Sequence, residues 1–363
     1  MRAARPLHLV LLLALLLSAC GGDLPAETTG TVPLPPDATA QTGAPASTDS
    51  AAPITVYFSD PNASGNRGGP DADLAAAIDA ARLTVDVAIY DLNLWSIRDA
   101  LLDAHRRGVQ VRMATESDNR DRAEFNELAD AGIPILGDRR EGLMHHKFVV
   151  IDGFQVWTGS MNFTLGSAYH GNNNLLRIDS TRLAENYTHE FEEMFTDDLF
   201  GDASARGDTP NPTVTLDGVL VENYFSPDDG VEQHIVDLIN NAEESVYFMT
   251  FSFTSNAIGA ALLLAQQRGV EVAGVMETTQ VDNSGSEYES LRDAGIDVRL
   301  DGIPGDMHHK VFIIDGSVVV TGSYNYSRAA EETNDENVLI IYSAGIAELY
   351  MQELVDVMLA AGD

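Results

Sequence analysis

The stretch Leu143-Met144-His145-His146-Lys147-Phe148-Val149-Val150-Ile151-Asp152-Gly153 returns later as Asp306-Met307-His308-His309-Lys310-Val311-Phe312-Ile313-Ile314-Asp315-Gly316. Just downstream, Gly159-Ser160-Met161-Asn162 returns as Gly322-Ser323-Tyr324-Asn325 at the same offset of 163 residues (308 − 145 and 325 − 162). Upstream, Arg107-Gly108-Val109-Gln110-Val111 answers Arg268-Gly269-Val270-Glu271-Val272, and Tyr57-Phe58-Ser59 answers Tyr224-Phe225-Ser226. Solenoid repeats run ~20–50 residues, so a period this long is a duplicated domain.

Each copy alternates strand and helix patterns. In the first, Val56-Tyr57-Phe58 reads as a strand, Asp73–Arg82 as a helix and Leu83–Tyr90 as a buried strand. Leu94–Arg107 reads as an amphipathic helix stopped by Gly108, Val109–Ala114 as a strand, and Arg122–Ala131 as a helix stopped by Gly132. His145–Ile151 and Phe154–Trp157 read as strands joined at the hairpin signal Asp152-Gly153, and Leu183–Phe195 closes the copy as a helix. Such alternation implies an α/β protein, a sheet covered by helices. The break between copies falls near Gly207-Asp208-Thr209-Pro210-Asn211-Pro212, which sets domains over 53–208 and 213–363.

The chain of 363 residues carries 56 acids against 21 bases, a formal charge of −35, so a general basic face for nucleic-acid phosphates is excluded. A single cysteine, Cys20, rules out an intrachain disulfide and a Cys-built zinc site. Nineteen of the bases are Arg; the two lysines are Lys147 and Lys310, both inside the repeated motif. A compact, strongly hydrated point charge is needed there, which the planar guanidinium of Arg does not supply.

Residues 1–20 hold Arg2 and Arg5, an apolar run from Leu7 to Leu17, and Leu17-Ser18-Ala19-Cys20. The run is about half of the ~20 residues a membrane span needs, so it reads as an export signal. Its ending resembles the lipobox of bacterial lipoproteins, in which the Cys is acylated. Residues 21–52, rich in Pro, Thr, Ala, Gly and Ser, read as a disordered tether. The expected address is therefore the bacterial cell envelope, lipid-anchored through Cys20 on the periplasmic or outer-membrane face.

On a strand, residues two apart share a face. His145 and Lys147 then point together, as do His308 and Lys310, while His146 and His309 face away as packing or bracing residues. Ser160 and Asn162, and likewise Ser323 and Asn325, share a face and are read as phosphate-binding. Each copy offers half of an anion pocket. The catalytic set is His145, Lys147, Asp152, His308, Lys310 and Asp315, with Asp152 mainly a turn residue and brace. One imidazole can attack phosphorus while the other protonates the leaving oxygen. Two lysines supply the charge stabilisation, so neither metal nor cofactor is expected. Adjacent histidines facing opposite ways, each beside a lysine, also argue against a metal cluster.

His-x-Lys-x4-Asp-x6-Gly-Ser-x-Asn, present twice, resembles the signature of the phospholipase D superfamily over roughly residues 53–363. The resemblance implies paired α/β/α domains, each a mixed sheet flanked by helices, with one active site at their pseudo-twofold interface. It implies a covalent phosphohistidine too, with His145 as nucleophile and His308 as acid. The family often carries a carboxylate beyond Gly-Ser-x-Asn that orients the catalytic His. The second copy has Glu336 there, whereas the first has Asn173 (336 − 163). Contact between Glu336 and His308 would make His308 the more basic imidazole and reverse the roles, so the roles stay open at this point.

Phosphodiester hydrolysis of phospholipid head groups, metal-independent, is the expected function. A nonspecific endonuclease is the alternative, disfavoured by charge, and phosphatidyl transfer is a third. The expected partners are a phospholipid or other phosphodiester and the anchoring membrane, with a monomeric protein. A catalytically dead envelope-binding module is opposed by the completeness of both motifs.

Overall fold

The structure, a computed structural model, describes residues 53–63 and 65–361. The export signal, Cys20 and the tether to residue 52 lie outside the described residues. The rest belongs to one compact unit. Among the described residues no helix is long and apolar enough to cross a membrane.

The first repeat supplies β1 (Ile54–Phe58), α1 (Pro70–Ala80), β2 (Thr84–Ile89), α2 (Trp95–Arg106), β3 (Gln110–Thr115), α3 (Ala123–Asp130) and β4 (Ile135–Gly137). It continues with β5 (Lys147–Ile151), β6 (Gln155–Gly159), α4 (Leu165–Tyr169), β7 (Asn174–Asp179) and α5 (Thr181–Phe195). The second repeat supplies β8 (Thr213–Leu216), β9 (Val219–Ser226), α6 (Val231–Asn241), β10 (Ser245–Thr250), α7 (Asn256–Arg268), β11 (Glu271–Met276), α8 (Tyr288–Asp293) and β12 (Asp297–Leu300). It ends with β13 (Lys310–Ile314), β14 (Val318–Gly322), α9 (Arg328–Glu332), β15 (Glu336–Tyr342) and α10 (Ala344–Ala361). One sheet has the order β1-β7-β6-β5-β2-β3-β4 and the other β12-β11-β10-β13-β14-β15-β9-β8. In both, three strands run parallel and join an antiparallel set, giving mixed sheets.

The unbroken apolar run after each lysine is explained by burial on both faces. Val149 and Ile151 of β5 pack with α1–α3, whereas Phe148 and Val150 pack with α5 and with Phe225, Leu339 and Ile341 of the other repeat. Alternate side chains on one strand thus build two different cores. The first helix starts earlier than its apolar periodicity suggests because Pro70 stands in its first turn, where a missing N–H costs nothing. The sequence reading also passed over β7, because the run Asn172-Asn173-Asn174 that leads into it looks like a loop; Leu175, Leu176 and Ile178 are its signal.

The Asp152-Gly153 and Asp315-Gly316 turns take left-handed backbone, with φ of 54° and 61°, then 49° and 58°. The Asp152 carboxylate accepts the N–H groups of Arg82, Leu83 and Thr84 at 2.7–3.2 Å, and Asp315 accepts those of Glu243, Glu244 and Ser245 at 2.8–3.2 Å. A whole five-residue strand lies between each motif histidine and its Asp, four steps of ~3.3 Å or about 13 Å of extended chain. Asp152 and Asp315 therefore leave the catalytic set. They clamp the start of β2 and β10 to the hairpin.

Candidate active site

His145 and His146 stand just before β5 rather than on it: the backbone at Met144 and His145 pairs with the other repeat, while the His146 carbonyl accepts the Tyr90 N–H at 3.0 Å. His145 N–H donates to the Asp335 carbonyl (3.0 Å) and Asp335 N–H to the Leu143 carbonyl (2.9 Å). The partner contact is symmetric, with His308 N–H on the Asn172 carbonyl and Asn172 N–H on the Asp306 carbonyl, both at 2.9 Å. Each histidine is thereby placed beside the residue that follows the opposite repeat's pairing position. Glu336 follows Asp335 and Asn173 follows Asn172.

This crossing corrects the expectation that Glu336 serves His308. The Glu336 carboxylate meets His145 Nδ1 at 2.7 Å. His308 Nδ1 instead meets the Asn173 carboxamide oxygen at 2.9 Å and the Ser160 carbonyl at 3.0 Å. One imidazole is braced by a carboxylate and the other by neutral groups. Both ring contacts occupy Nδ1, which leaves each Nε2 for chemistry.

Both lysines are fully buried, and their ammonium groups donate back to the carbonyls of His145 (2.6 Å) and His308 (2.9 Å). Each Nζ also lies over an aromatic wall, Lys147 over Tyr90 at 5.1 Å and Lys310 over Phe251 at 4.7 Å. The same rings pack edge-on against His145 and His308. Burial lowers the pKa of Lys147 to about 7, and burial together with Lys147 holds Lys310 well below its ordinary value. Burial, then the two lysines, holds both His145 and His308 well below the usual imidazole range. Glu336 is pushed up to about 7 by burial, opposed by Lys147. Each of these groups feels charges from both repeats, so the two half-motifs make one pocket. A bound anion would relieve the positive crowding and restore protons to the imidazoles.

Asn162 and Asn325 each keep a buried side-chain oxygen with no hydrogen-bond partner, as polar groups waiting for a ligand would. The serines differ, and their assignment as phosphate ligands is corrected. Ser160 Oγ donates to Asn173 Oδ1 (3.1 Å) and accepts the Asn174 N–H (3.0 Å), while Ser323 Oγ accepts Asn337 N–H (3.0 Å). Both are fully buried and fix the start of the strand that follows Asn173 or opens with Glu336.

A further ring of residues escaped the sequence reading. His146 Nε2 meets Glu190 and His309 Nε2 meets Glu353, each at 2.9 Å. Asn337 Nδ2 lies 3.3 Å from His146 Nδ1, and Asn174 Nδ2 lies 3.3 Å from His309 Nδ1. The 163-residue offset (353 − 190 and 337 − 174) was the signal that could have found them. Glu190, Glu193 and Asp228 form a carboxylate group within 4.8 Å, the set among the described residues able to hold a cation. It lies beyond His146, whose Nε2 meets Glu190.

An α/β chain whose two halves each lend a histidine, a lysine and an orienting side chain to one buried pocket is what fold and site define. The family described as cardiolipin synthase, PLD-like domain, matches residues 74–195 and again 235–358. The chain belongs to the phospholipase D superfamily. It is 39% identical over 132 residues to a phospholipase D of Rickettsia bellii and 38% identical over 125 residues to a mitochondrial cardiolipin hydrolase of Xenopus tropicalis. Those stretches cover 66% and 60% of these relatives, and 36% and 34% of this chain. Phosphatidylserine synthase of Haemophilus influenzae Rd KW20 covers 84% of this chain and 86% of its own at a TM-score of 0.62 and 14% identity, a likeness of fold alone.

Proposed function

We propose that the protein is a phospholipase D-type phosphodiesterase that hydrolyses phospholipid head groups through a phosphohistidine on His145, without a metal ion. The observation that carries this reading is the unequal bracing of the two imidazoles, His145 on Glu336 and His308 on Asn173. Phosphorylation of Nε2 with a proton on Nδ1 leaves a cationic ring, which a carboxylate stabilises and a carboxamide does not. His145 Nε2 attacks phosphorus and forms the N–P bond as the P–O bond to the head group breaks. The departing oxygen takes the Nε2 proton of His308, a strong acid because burial weakens its hold on the proton. Water then gives a proton back to His308 Nε2 and attacks phosphorus, breaking the N–P bond and releasing phosphatidate. Lys147 and Lys310 balance the phosphoryl charge throughout, the task a metal would otherwise perform.

The lipobox-like Leu17-Ser18-Ala19-Cys20 supports a lipid substrate, since an acylated Cys20 keeps the enzyme at a membrane. Cys20→Ser shifting the protein to the soluble fraction is the check on that address. The test of the chemistry is acid- or base-quenched turnover of phospholipid, with EDTA present. A base-stable phosphoryl label on His145 is expected. No label on either histidine, or activity abolished by chelation, would refute the mechanism.

A further inference from the structure

The two repeats differ sharply at one place on their surface. Ser59 answers Ser226 at an offset of 167 residues (226 − 59), but Ile78 answers Ile239 at 161 (239 − 78). The first repeat therefore carries six extra residues between them (167 − 161). This loop supplies Asn66, Arg67 and Gly68 to one wall of a cavity of about 720 Å³, closed on the other sides by Leu94, Trp95, Leu165 and Tyr169. That volume lies in the ~300–1,000 Å³ range of small-molecule sites. The floor is fixed, because buried Asp71 accepts Ser96 Oγ at 2.5 Å and Tyr169 OH at 2.6 Å.

The apolar walls stand out in a chain of charge −35. Trp95 is 67% exposed and Leu165 39% exposed. The second repeat has Asn256 opposite Trp95 (95 + 161), Arg328 opposite Leu165 (165 + 163) and Glu332 opposite Tyr169 (169 + 163). The fold does not require apolar side chains here, since the second repeat places polar or charged ones at these three positions. The cavity is also tied to the active site by covalent geometry. Asn93 lies three residues after Tyr90, the wall of His145 and Lys147, and Leu165 three residues after Asn162. Three residues reach at most ~11 Å, so the lining residues Asn93 and Leu165 lie within about that distance of Tyr90 and Asn162 in the catalytic site.

We infer that this cavity seats the acyl-glycerol portion of a phospholipid whose phosphate lies between Lys147 and Lys310, leaving the head group toward the second repeat. The inference rests on the phospholipid reading above and gives it a direction across the site. The −35 charge disfavours the other ligand an exposed indole could stack with, a nucleic-acid base.

Trp157, the other tryptophan, is buried, so Trp95 is a local reporter. Micelles of bromine-labelled phosphatidylcholine should quench roughly half of the emission of His145→Ala protein, and Trp95→Phe should remove that quenching. In the active protein, Trp95→Asn and Leu165→Arg, which install the second repeat's residues, should each raise KM for dioctanoyl phosphatidylcholine roughly tenfold, the worth of burying one or two methylenes. Neither variant should change turnover of bis(4-nitrophenyl) phosphate, which has no chains. Lipid hydrolysis with unaltered KM and no quenching overturns the cavity assignment and leaves the proposed function standing. Quenching by lipid without lipid hydrolysis keeps the cavity and defeats the function. Quenching by oligothymidylate instead of lipid overturns the assignment.

Discussion

Replacing Glu336 with Gln isolates the contact on which the assignment of roles depends. Gln keeps the length and an acceptor oxygen at the 2.7 Å position beside His145 Nδ1, but removes the charge. A carboxylate and a cationic imidazole with charge centres ~4 Å apart attract by about 4 kcal/mol at an effective dielectric of ~20. The neutral hydrogen bond that Gln retains returns about 1 kcal/mol. The remaining ~3 kcal/mol corresponds to a fall of roughly a hundredfold in the rate of phosphohistidine formation. Rapid-quench measurement of that label in a single turnover reads it directly. A pH signature accompanies it. Glu336 titrates at about 7, so the wild-type carboxyl is mostly neutral at pH 6 and mostly charged at pH 8. The gap in kcat/KM between wild type and Glu336→Gln should widen from pH 6 to pH 8. Label formation within threefold of wild type at pH 8, or a gap independent of pH, would refute the role given to Glu336.

Asn173→Asp would give His308 the carboxylate it lacks; its pKa should rise by ~1–3 units and carry the alkaline limb of the pH–rate profile with it, whereas an unmoved limb would place the acid elsewhere. Lys147 is protonated to higher pH when unfolded than in the fold, where its pKa is about 7, so between pH 7 and about 10 the unfolded chain binds more protons and wild-type stability should rise with pH on this account. Lys147→Met should accordingly raise stability at pH 7 by about 2–3 kcal/mol after loss of its bond to the His145 carbonyl, while abolishing turnover; a denaturant melt showing destabilisation would contradict the buried charge. Asp152→Ala removes the carboxylate acceptor of three N–H groups, two of them exposed to water, and should cost about 1–3 kcal/mol in denaturant melts while leaving kcat of the folded protein unchanged; a loss in kcat would return Asp152 to the chemistry.

The sequence by itself determined the duplication, the α/β character of each half and the histidines and lysines that meet in the site. Those features are local or periodic. A buried strand such as Phe148–Ile151 has to be written as a continuous apolar run, and a lysine kept among Arg-only cations marks a site where a compact ammonium is required. Pairing across the repeats had no such local trace. Glu336 is 28 residues from His308 (336 − 308) and 191 from His145, yet it serves His145, because Asp335 pairs with the backbone on either side of Met144. Only that crossing settles which imidazole gains a carboxylate. The motif aspartates and serines mislead for the same reason. Their fixed spacing reports a constraint, but whether it is chemical or architectural depends on which amides surround them once the chain has folded. Asp152 finds the amides of Arg82, Leu83 and Thr84 and so clamps the start of β2, and Ser160 finds Asn173 and Asn174 and so satisfies buried polar groups beside β7; both contacts hold the side chains away from the phosphate-binding groups.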